Sequence, residues 1–109
     1  MLGELQVQPT VTVLTLHGEL DIVTVDDLRR LLETACTTAP DLLTVDLSDV
    51  PFIDVLSLSV VLAAADALRE HGGNLAVVGA SSSVRRVCRL LNAEDVLSPV
   101  LPRPRAAVL

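Results

Sequence analysis

Aromatic side chains are almost absent from this chain of 109 residues. It contains no Trp and no Tyr, and Phe52 is its one aromatic residue. Proteins that hold single-stranded nucleic acid stack the bases on aromatic rings, so this chain does not belong to that class. Half of the residues are hydrophobic, and the core must be built from Leu, Val, Ile and Ala.

Lysine is absent altogether, and all eight basic residues are arginine. This excludes enzymes with a catalytic lysine, P-loop nucleotide sites, and receiver domains, which clamp a phosphoryl group with lysine. The net charge is −6 and the isoelectric point is about 4.6. Binding to a phosphate backbone depends on clustered basic residues, so we expect no direct nucleic-acid partner.

Cysteine is scarce, and Cys36 and Cys88 lie too far apart for a zinc knuckle or a CxxC redox motif. The chain has no GxGxxG, P-loop or GxSxG sequence. Neither histidine has a nucleophile at a recognisable spacing. We therefore expect no metal site, no cofactor and no enzymatic activity.

The chain also lacks a long hydrophobic run, although its mean hydropathy of +0.56 is high. The apolar segment Val55–Ala65 ends at Asp66, well short of the roughly 20 residues that a spanning helix needs. The N-terminus MLGELQVQ lacks the basic start and apolar core of a signal peptide. We expect no membrane insertion and a cytoplasmic location.

What the sequence does contain is an alternation of strand and helix patterns. The predicted strands are Glu4–Pro9, Val11–Leu16, Leu42–Leu47, Asn74–Gly79 and Val96–Leu101. The predicted helices are one that opens at Thr24 and closes by Pro40, one at Val55–His71, and one at Ser81–Leu91. This order predicts a single α/β domain with a mainly parallel sheet, in which the first two strands can pair antiparallel. Thr24 followed by Asp27 resembles a capping box.

The segment 42–62 changes from a buried-strand pattern to an uncharged helical pattern, with Asp54 at the junction. Ligands of parallel α/β sheets collect at the carboxyl ends of the strands, so Asp21, Asp49 and Asp54 are candidate site residues. Solvated turn acids are the alternative interpretation. Ser57 and Ser59 lie in the first turns of the following helix, where a phosphate would meet free backbone N–H groups. Ordinary helix-terminus serines are the alternative.

A helical wheel divides this second helix into two apolar sides. The side expected to pack on the sheet carries Leu58, Val61, Leu62, Ala65 and Leu68. The opposite side carries Leu56, Val60, Ala63 and Ala67. That opposite side of a surface helix is normally polar, which makes it a candidate interaction site. The alternative is that small residues are unremarkable on a surface.

The third predicted helix combines an apolar side with an arginine side. It is expected to bury Val84, Val87, Leu90 and Leu91. Its outer side carries Arg85, Arg86 and Arg89. Cys36 and Cys88 are interpreted first as buried small hydrophobic residues. The alternative for Cys88 is a lowered thiol pKa, because the positive charge of these neighbours stabilises a thiolate.

Four segments resemble, in order and at the expected spacing, the STAS domain family, whose single-domain members include the anti-sigma factor antagonists. The segments are HGELD at 17–21, VDLSDVPFID at 45–54, HGGNLAVVG at 71–79 and SVRRVCRLLNAEDVL at 83–97. The resemblance implies one STAS-like domain over residues 1–109. The proline and arginine content of 99–109 indicates a flexible tail. It also implies a four- to five-stranded mixed sheet, mainly parallel, with helices packed mainly on one face.

The resemblance further implies a regulatory protein-binding module. Antagonists of this type capture an anti-sigma factor, often a serine kinase, and the kinase inactivates them by phosphorylation at the start of the second helix. In that family an aspartate is followed by Ser, then the accepting Ser or Thr, then Gly. Here Asp54 is followed by Val55, Leu56 and Ser57, so Leu56 holds the acceptor position. Ser57 is one residue late, displaced by about 100° and 1.5 Å along the helix.

We therefore predict an altered STAS protein without the usual switch, which binds an anti-sigma factor or a serine-kinase-type regulator. The predicted partner-binding residues are Asp21, Asp54, Val55, Leu56, Ser57 and Val60. Ser57 is the candidate phosphoacceptor in place of Leu56. The alternative functions are a small-ligand or nucleotide sensor that uses the same loops, or a STAS subunit of a membrane transporter. Self-association into a homodimer through the apolar helix side is left open.

Overall fold

Four strands and three helices follow one another in the computed structural model, which describes residues 2–8 and 10–97. The strands are β1 Gly3–Val7, β2 Val11–His17, β3 Leu42–Asp49 and β4 Asn74–Val78. The helices are α1 Val25–Thr37, α2 Val55–Glu70 and α3 Ser82–Leu90, followed by a 3₁₀ turn at Glu94–Val96. The tail predicted at 99–109 lies outside the described residues.

The strands form one mixed sheet in the order β1-β2-β3-β4. β1 pairs antiparallel with β2, and the pairs β2/β3 and β3/β4 are parallel, as predicted. The predicted fifth strand is wrong at its beginning, because Val96 belongs to the 3₁₀ turn. Leu97 makes only an isolated parallel bridge to Val77, and residues 98–101 lie outside the described part.

The core lies between one face of the sheet and the helices, which confirms the predicted arrangement. Alternate strand residues enter it, namely Leu14, Leu16, Leu43, Val45, Leu47, Leu75 and Val77. The helices contribute Leu28, Leu32, Ala35, Leu58, Val61, Ala65, Leu68, Val84 and Cys88. Since side chains alternate across a strand, the helices all cover the same face of the sheet.

Helix α2 has the two sides that its sequence predicts. Leu58, Val61, Ala65 and Leu68 are buried, while Leu62 is only partly covered. On the other side Leu56, Ala63 and Ala67 are exposed, and Val60 is partly buried. The outward side is thus apolar along its length, and its middle is partly covered within the chain.

Two expectations for α3 are wrong. Leu90 is not buried but 72% exposed, because at 100° per residue it lies about 120° around the helix from buried Val84. The pKa of the Cys88 thiol is raised rather than lowered, first by burial and then by the Glu94 carboxylate. Arg85 and an arginine one turn later act in the opposite direction but do not prevail.

Candidate functional site

The loops that follow β2 and β3 lie side by side and are joined by backbone hydrogen bonds. The Leu20 N–H donates to the Phe52 carbonyl at 3.0 Å, and the Asp54 N–H donates to the Leu20 carbonyl at 2.9 Å. Leu20 and Ile53 pair in a parallel bridge, and both side chains are fully buried. Asp21 and Asp54 each directly follow one of these anchored residues, so the structure places both candidate acids at the same sheet edge.

Asp54 is the N-cap of α2. Its backbone is extended, and its Oδ1 accepts a hydrogen bond from the Ser57 N–H at 2.7 Å. This bond satisfies one of the free N–H groups at the helix start, and the negative charge suits the positive end of the helix dipole. Asp54 therefore fixes the direction in which the first turn of α2 leaves the sheet.

Asp21 organises the other loop, and the capping box predicted at Thr24 and Asp27 is wrong. Asp21 Oδ1 accepts hydrogen bonds from the Val23 N–H at 3.0 Å and the Thr24 N–H at 3.4 Å. The Thr24 hydroxyl accepts from the Asp21 N–H and donates to the Glu19 carbonyl, each at 3.1 Å. Thr24 already has helix-like backbone angles, φ −102° and ψ −2°, and its side chain forms no cap hydrogen bond.

Five large hydrophobic side chains are exposed on these two loops and the first turn of α2. We call them the apolar patch: Ile22, Val23, Phe52, Val55 and Leu56, exposed by 69%, 83%, 45%, 50% and 43%. Sequence reasoning selected Val55 and Leu56 and missed the other three. The available signal was apolar residues placed between turn acids, in loops that otherwise favour polar residues.

Ser57 lies beneath the apolar patch rather than on it. Its side chain is 0% exposed, and its hydroxyl has no hydrogen-bond partner among the described residues. Its backbone N–H is already held by Asp54. A phosphate group could reach this hydroxyl only if the first turn of α2 opened. Ser59, by contrast, is exposed, and its hydroxyl donates to the Val55 carbonyl at 2.8 Å.

Val60 lies one helical turn beyond Leu56 and borders an open groove between α1 and α2. The groove has a volume of about 430 Å³. Its lining is mostly apolar and consists of Arg29, Leu32, Glu33, Cys36, Ser59, Val60, Ala63, Ala64 and Ala67. Burial raises the pKa of the Cys36 thiol. The predicted partner-binding residues therefore divide between the sheet edge and this groove, with Val60 alone at the groove.

His17 connects three strands at the same edge of the sheet. The register between β2 and β3 shifts after Thr15, which pairs His17 with Asp49. The ring Nδ1 lies 2.7 Å from Asp49 Oδ2, and Nε2 lies 3.1 Å from Glu4 Oε2. The hydrogen bonds to Asp49 and then Glu4 raise the pKa of His17 above its ordinary value of 6.5. The candidate acid Asp49 is thus engaged by an imidazole that sequence spacing did not connect with it.

Metal-ligating side chains do not cluster in the part of the chain that the structure describes, where no group of three His, Cys, Asp or Glu residues could hold one ion. Within residues 2–8 and 10–97, no helix combines the length and apolarity that crossing a bilayer requires. The candidate acids at the sheet edge instead order the loops: Asp21 and Asp54 bind backbone N–H groups, and Asp49 binds His17.

Comparison with known proteins identifies the protein family to which the chain belongs. The sequence model of the STAS domain matches residues 4–107, and the chain belongs to the STAS domain family. No curated protein sequence matches it significantly.

Solved structures of anti-sigma factor antagonists share the fold. SpoIIAA in its unphosphorylated form is 21% identical with a TM-score of 0.81, covering 98% of this chain and 97% of its own. An anti-sigma factor antagonist from Mycobacterium paratuberculosis is 26% identical with a TM-score of 0.81, and the match covers 97% of this chain and 90% of the antagonist. A sulfate transporter family protein from Wolinella succinogenes is 18% identical with a TM-score of 0.66, and the match covers 81% of this chain and 71% of that protein. The chain is a STAS domain that resembles anti-sigma factor antagonists.

Proposed function

We propose that this protein is a non-enzymatic regulatory module that binds an anti-sigma factor of the serine-kinase type, or a related regulator, through the apolar patch. The observation that carries the proposal is the position of the patch. Val55 and Leu56 lie at the start of the second helix, where the resemblance to the antagonists implies the switch, and the other three exposed hydrophobic side chains lie on the two adjoining loops, which are joined by hydrogen bonds. Contiguous exposed apolar surface is typical of protein interaction sites. The proposed setting is the bacterial cytoplasm, where sigma factors act.

The predicted site residues take different parts in this proposal. Asp21 and Asp54 hold the two loops in a fixed shape, which lowers the entropy that binding must overcome. Val55 and Leu56 make direct contact with the partner, together with the exposed residues of the preceding loops. Val60 extends the contact toward the groove between α1 and α2.

We also propose that binding is not regulated by phosphorylation at the usual position. Leu56 has no hydroxyl, and the hydroxyl of Ser57 is fully buried beneath a capped helix start. A kinase acts on a side chain that it can reach, so the burial of Ser57 supports an antagonist that stays competent to bind in the presence of ATP.

A second candidate function is favoured by the groove. Its volume of about 430 Å³ falls within the usual range for small-ligand sites, and its lining combines apolar side chains with Arg29 and Glu33. A ligand-sensing STAS module would use this groove rather than the loops. A transporter subunit is a third possibility, supported by the match to the sulfate transporter family protein.

The test is titration of the full chain with each serine-kinase-type anti-sigma factor of its own organism, with and without ATP. We expect one of them to bind equally well under both conditions, and intact-mass spectrometry to show no phosphate on the chain. Stoichiometric phosphoserine at Ser57 would refute the unswitched state. If none of them bound and a small ligand raised the melting temperature, the second function would replace the proposal. If none of them bound and the chain associated with a permease, the third function would replace it.

A further inference from the structure

The arginines of the described residues fall into two groups. Those of α1 and α2 all pair with acids: Arg29 with Asp26 at 3.0 Å, Arg30 with Asp27 at 3.0 Å, and Arg69 with Asp66 at 2.9 Å. Those of α3, namely Arg85, Arg86 and Arg89, form no ion pair with any described residue. Within residues 2–8 and 10–97, α3 therefore carries a group of arginines without an ion-pair partner, in a chain whose net charge is −6.

These three side chains occupy one side of α3, and we call them the arginine face. At about 100° per residue, Arg85 and Arg86 bound an arc of that width, and Arg89 lies between them one turn later. All three residues are exposed, whereas Val84 and Cys88 on the adjoining side of the helix are buried. Arg85 Nε donates to the Ala80 carbonyl at 3.2 Å, so its guanidinium is held at the helix start.

The arginine face costs stability within the chain. Arg85 and Arg89 are four residues apart and Arg86 and Arg89 three apart, and like charges at these spacings repel by about 0.2–0.5 kcal/mol per pair. The first turn of α3 contains no acid, and positive charge near a helix N-terminus opposes the helix dipole. Arg89, in the last turn, suits the negative end of the helix dipole, and Arg85 Nε bonds the Ala80 carbonyl. No acid among the described residues forms an ion pair with any of the three arginines, which favours a use between molecules.

We propose that the arginine face is a second interaction surface, which binds an acidic segment of a protein partner. Guanidinium groups pair with carboxylates through two parallel hydrogen bonds, and three on one helix side match a short row of Asp or Glu. Leu90, 72% exposed and one turn beyond Arg86, adds the apolar contact that protein partners supply. The surface lies on another helix from the apolar patch, so it goes beyond the proposed function.

Other anionic partners fit this surface less well. Recognition of acidic lipid usually takes clusters of about four to eight basic residues. Nucleic-acid binding gains its affinity from many phosphate contacts. The net charge of −6 would repel the phosphate backbone at longer range. A peptide segment is local, so it can meet three arginines without approaching the acids elsewhere on the chain.

The experiment uses the full chain and a fluorescein-labelled peptide of glutamate and leucine, followed by fluorescence anisotropy at low ionic strength. We expect salt-sensitive binding that falls about tenfold or more in the triple variant Arg85→Gln, Arg86→Gln, Arg89→Gln. The matched control is Arg29→Gln, Arg30→Gln, Arg69→Gln, which removes the same charge from α1 and α2. Leu56→Asp should retain peptide binding, which separates this surface from the apolar patch.

Amide chemical-shift mapping of the wild type locates the peptide without relying on any variant. We expect the shifted signals to cluster in α3. Equal binding by the arginine-face variant, an equal loss in the control variant, or shifts centred elsewhere would overturn the proposal. Tighter binding to phosphatidylserine vesicles or to single-stranded DNA than to the peptide would also overturn it.

Discussion

Leu56 and Leu58 are the same residue type in the same helix, two positions apart, and they lie in opposite environments. Leu58 is fully buried in the core, whereas Leu56 is 43% exposed in the apolar patch. The core side of α2 stabilises the fold by removing apolar surface from water. Leu56 gains less of this stabilisation, because part of its side chain stays in water, and that apolar surface remains available to a partner.

The same contrast separates the arginines. Those of α1 and α2 pair with acids on their own helices, whereas the arginine face of α3 has no described acid partner. In both comparisons, the residues without a partner among the described residues lie on the surface. We use the pair Leu56 and Leu58 to test this division between stability and binding.

The largest expected effect is that of Leu58→Ala. Removing a buried leucine side chain leaves a cavity, and we expect the free energy of unfolding to fall by about 3 kcal/mol. The matched variant Leu56→Ala should change it by less than about 0.5 kcal/mol. Urea unfolding followed by circular dichroism measures both. If both variants lost the same free energy of unfolding, the distinction between a stabilising side and a binding side of α2 would be wrong.

Asp54→Ala should remove about 1 kcal/mol, because the Ser57 N–H loses its side-chain acceptor. Asp54→Ser should recover most of the loss, since a serine hydroxyl also caps a helix. Urea unfolding of both variants checks this. If Asp54→Ser were no more stable than Asp54→Ala, the aspartate would act through something other than the cap, and the shape of the apolar patch would have another origin.

Ser57→Ala is expected to stabilise the protein, by up to about 1 kcal/mol, because it removes a buried hydroxyl that has no hydrogen-bond partner. Ser59→Ala is the control, since Ser59 is exposed and bonded within its own helix. Thermal unfolding of the two variants gives the comparison. A clear loss of stability in Ser57→Ala would mean that the hydroxyl is satisfied, for example by water, and would weaken the buried-serine argument.

The smallest expected effect concerns His17 and pH. Its pKa is raised by the hydrogen bonds to Asp49 and Glu4, so the protonated ring is favoured in the folded state. Its stabilising contribution is complete below the unfolded value of about 6.5 and is lost as the pH rises through the higher folded value. The stability difference between wild type and His17→Gln should therefore shrink as the pH rises above 6.5. A difference that grew with pH would contradict the pairing, and His71→Gln serves as control.

The fold could be predicted from the sequence because burial repeats along each element. The sequence pattern indicates which sides of an element face the core, as in the strand runs Val11–Leu16 and Leu42–Leu47 and in the helical spacing of α2. The end of the sheet was less predictable. Val96 fits a strand by composition, but the 3₁₀ turn that it enters depends on packing beside α3 and β4.

The site was predicted less completely, because exposure depends on which loops meet. Ile22, Val23 and Phe52 resemble core residues in sequence, but they lie at the surface, on the loops that the bridge between Leu20 and Ile53 joins. The capping box predicted at Thr24 is wrong because the sequence does not give the backbone angles of Thr24, and these angles decide whether its side chain can cap the helix. His17 likewise finds its two carboxylates only when three strands are aligned.

The central claim is that the apolar patch binds the partner, and the most direct measurement compares the partner affinities of two single variants. Leu56→Asp places a charge in the patch, and Val7→Asp places the same charge on β1, where Val7 is 54% exposed. Titration calorimetry with the anti-sigma factor that binds the wild type should show a loss of about tenfold or more for Leu56→Asp, and wild-type affinity for Val7→Asp. Wild-type affinity in Leu56→Asp, with both variants folded, would contradict the claim.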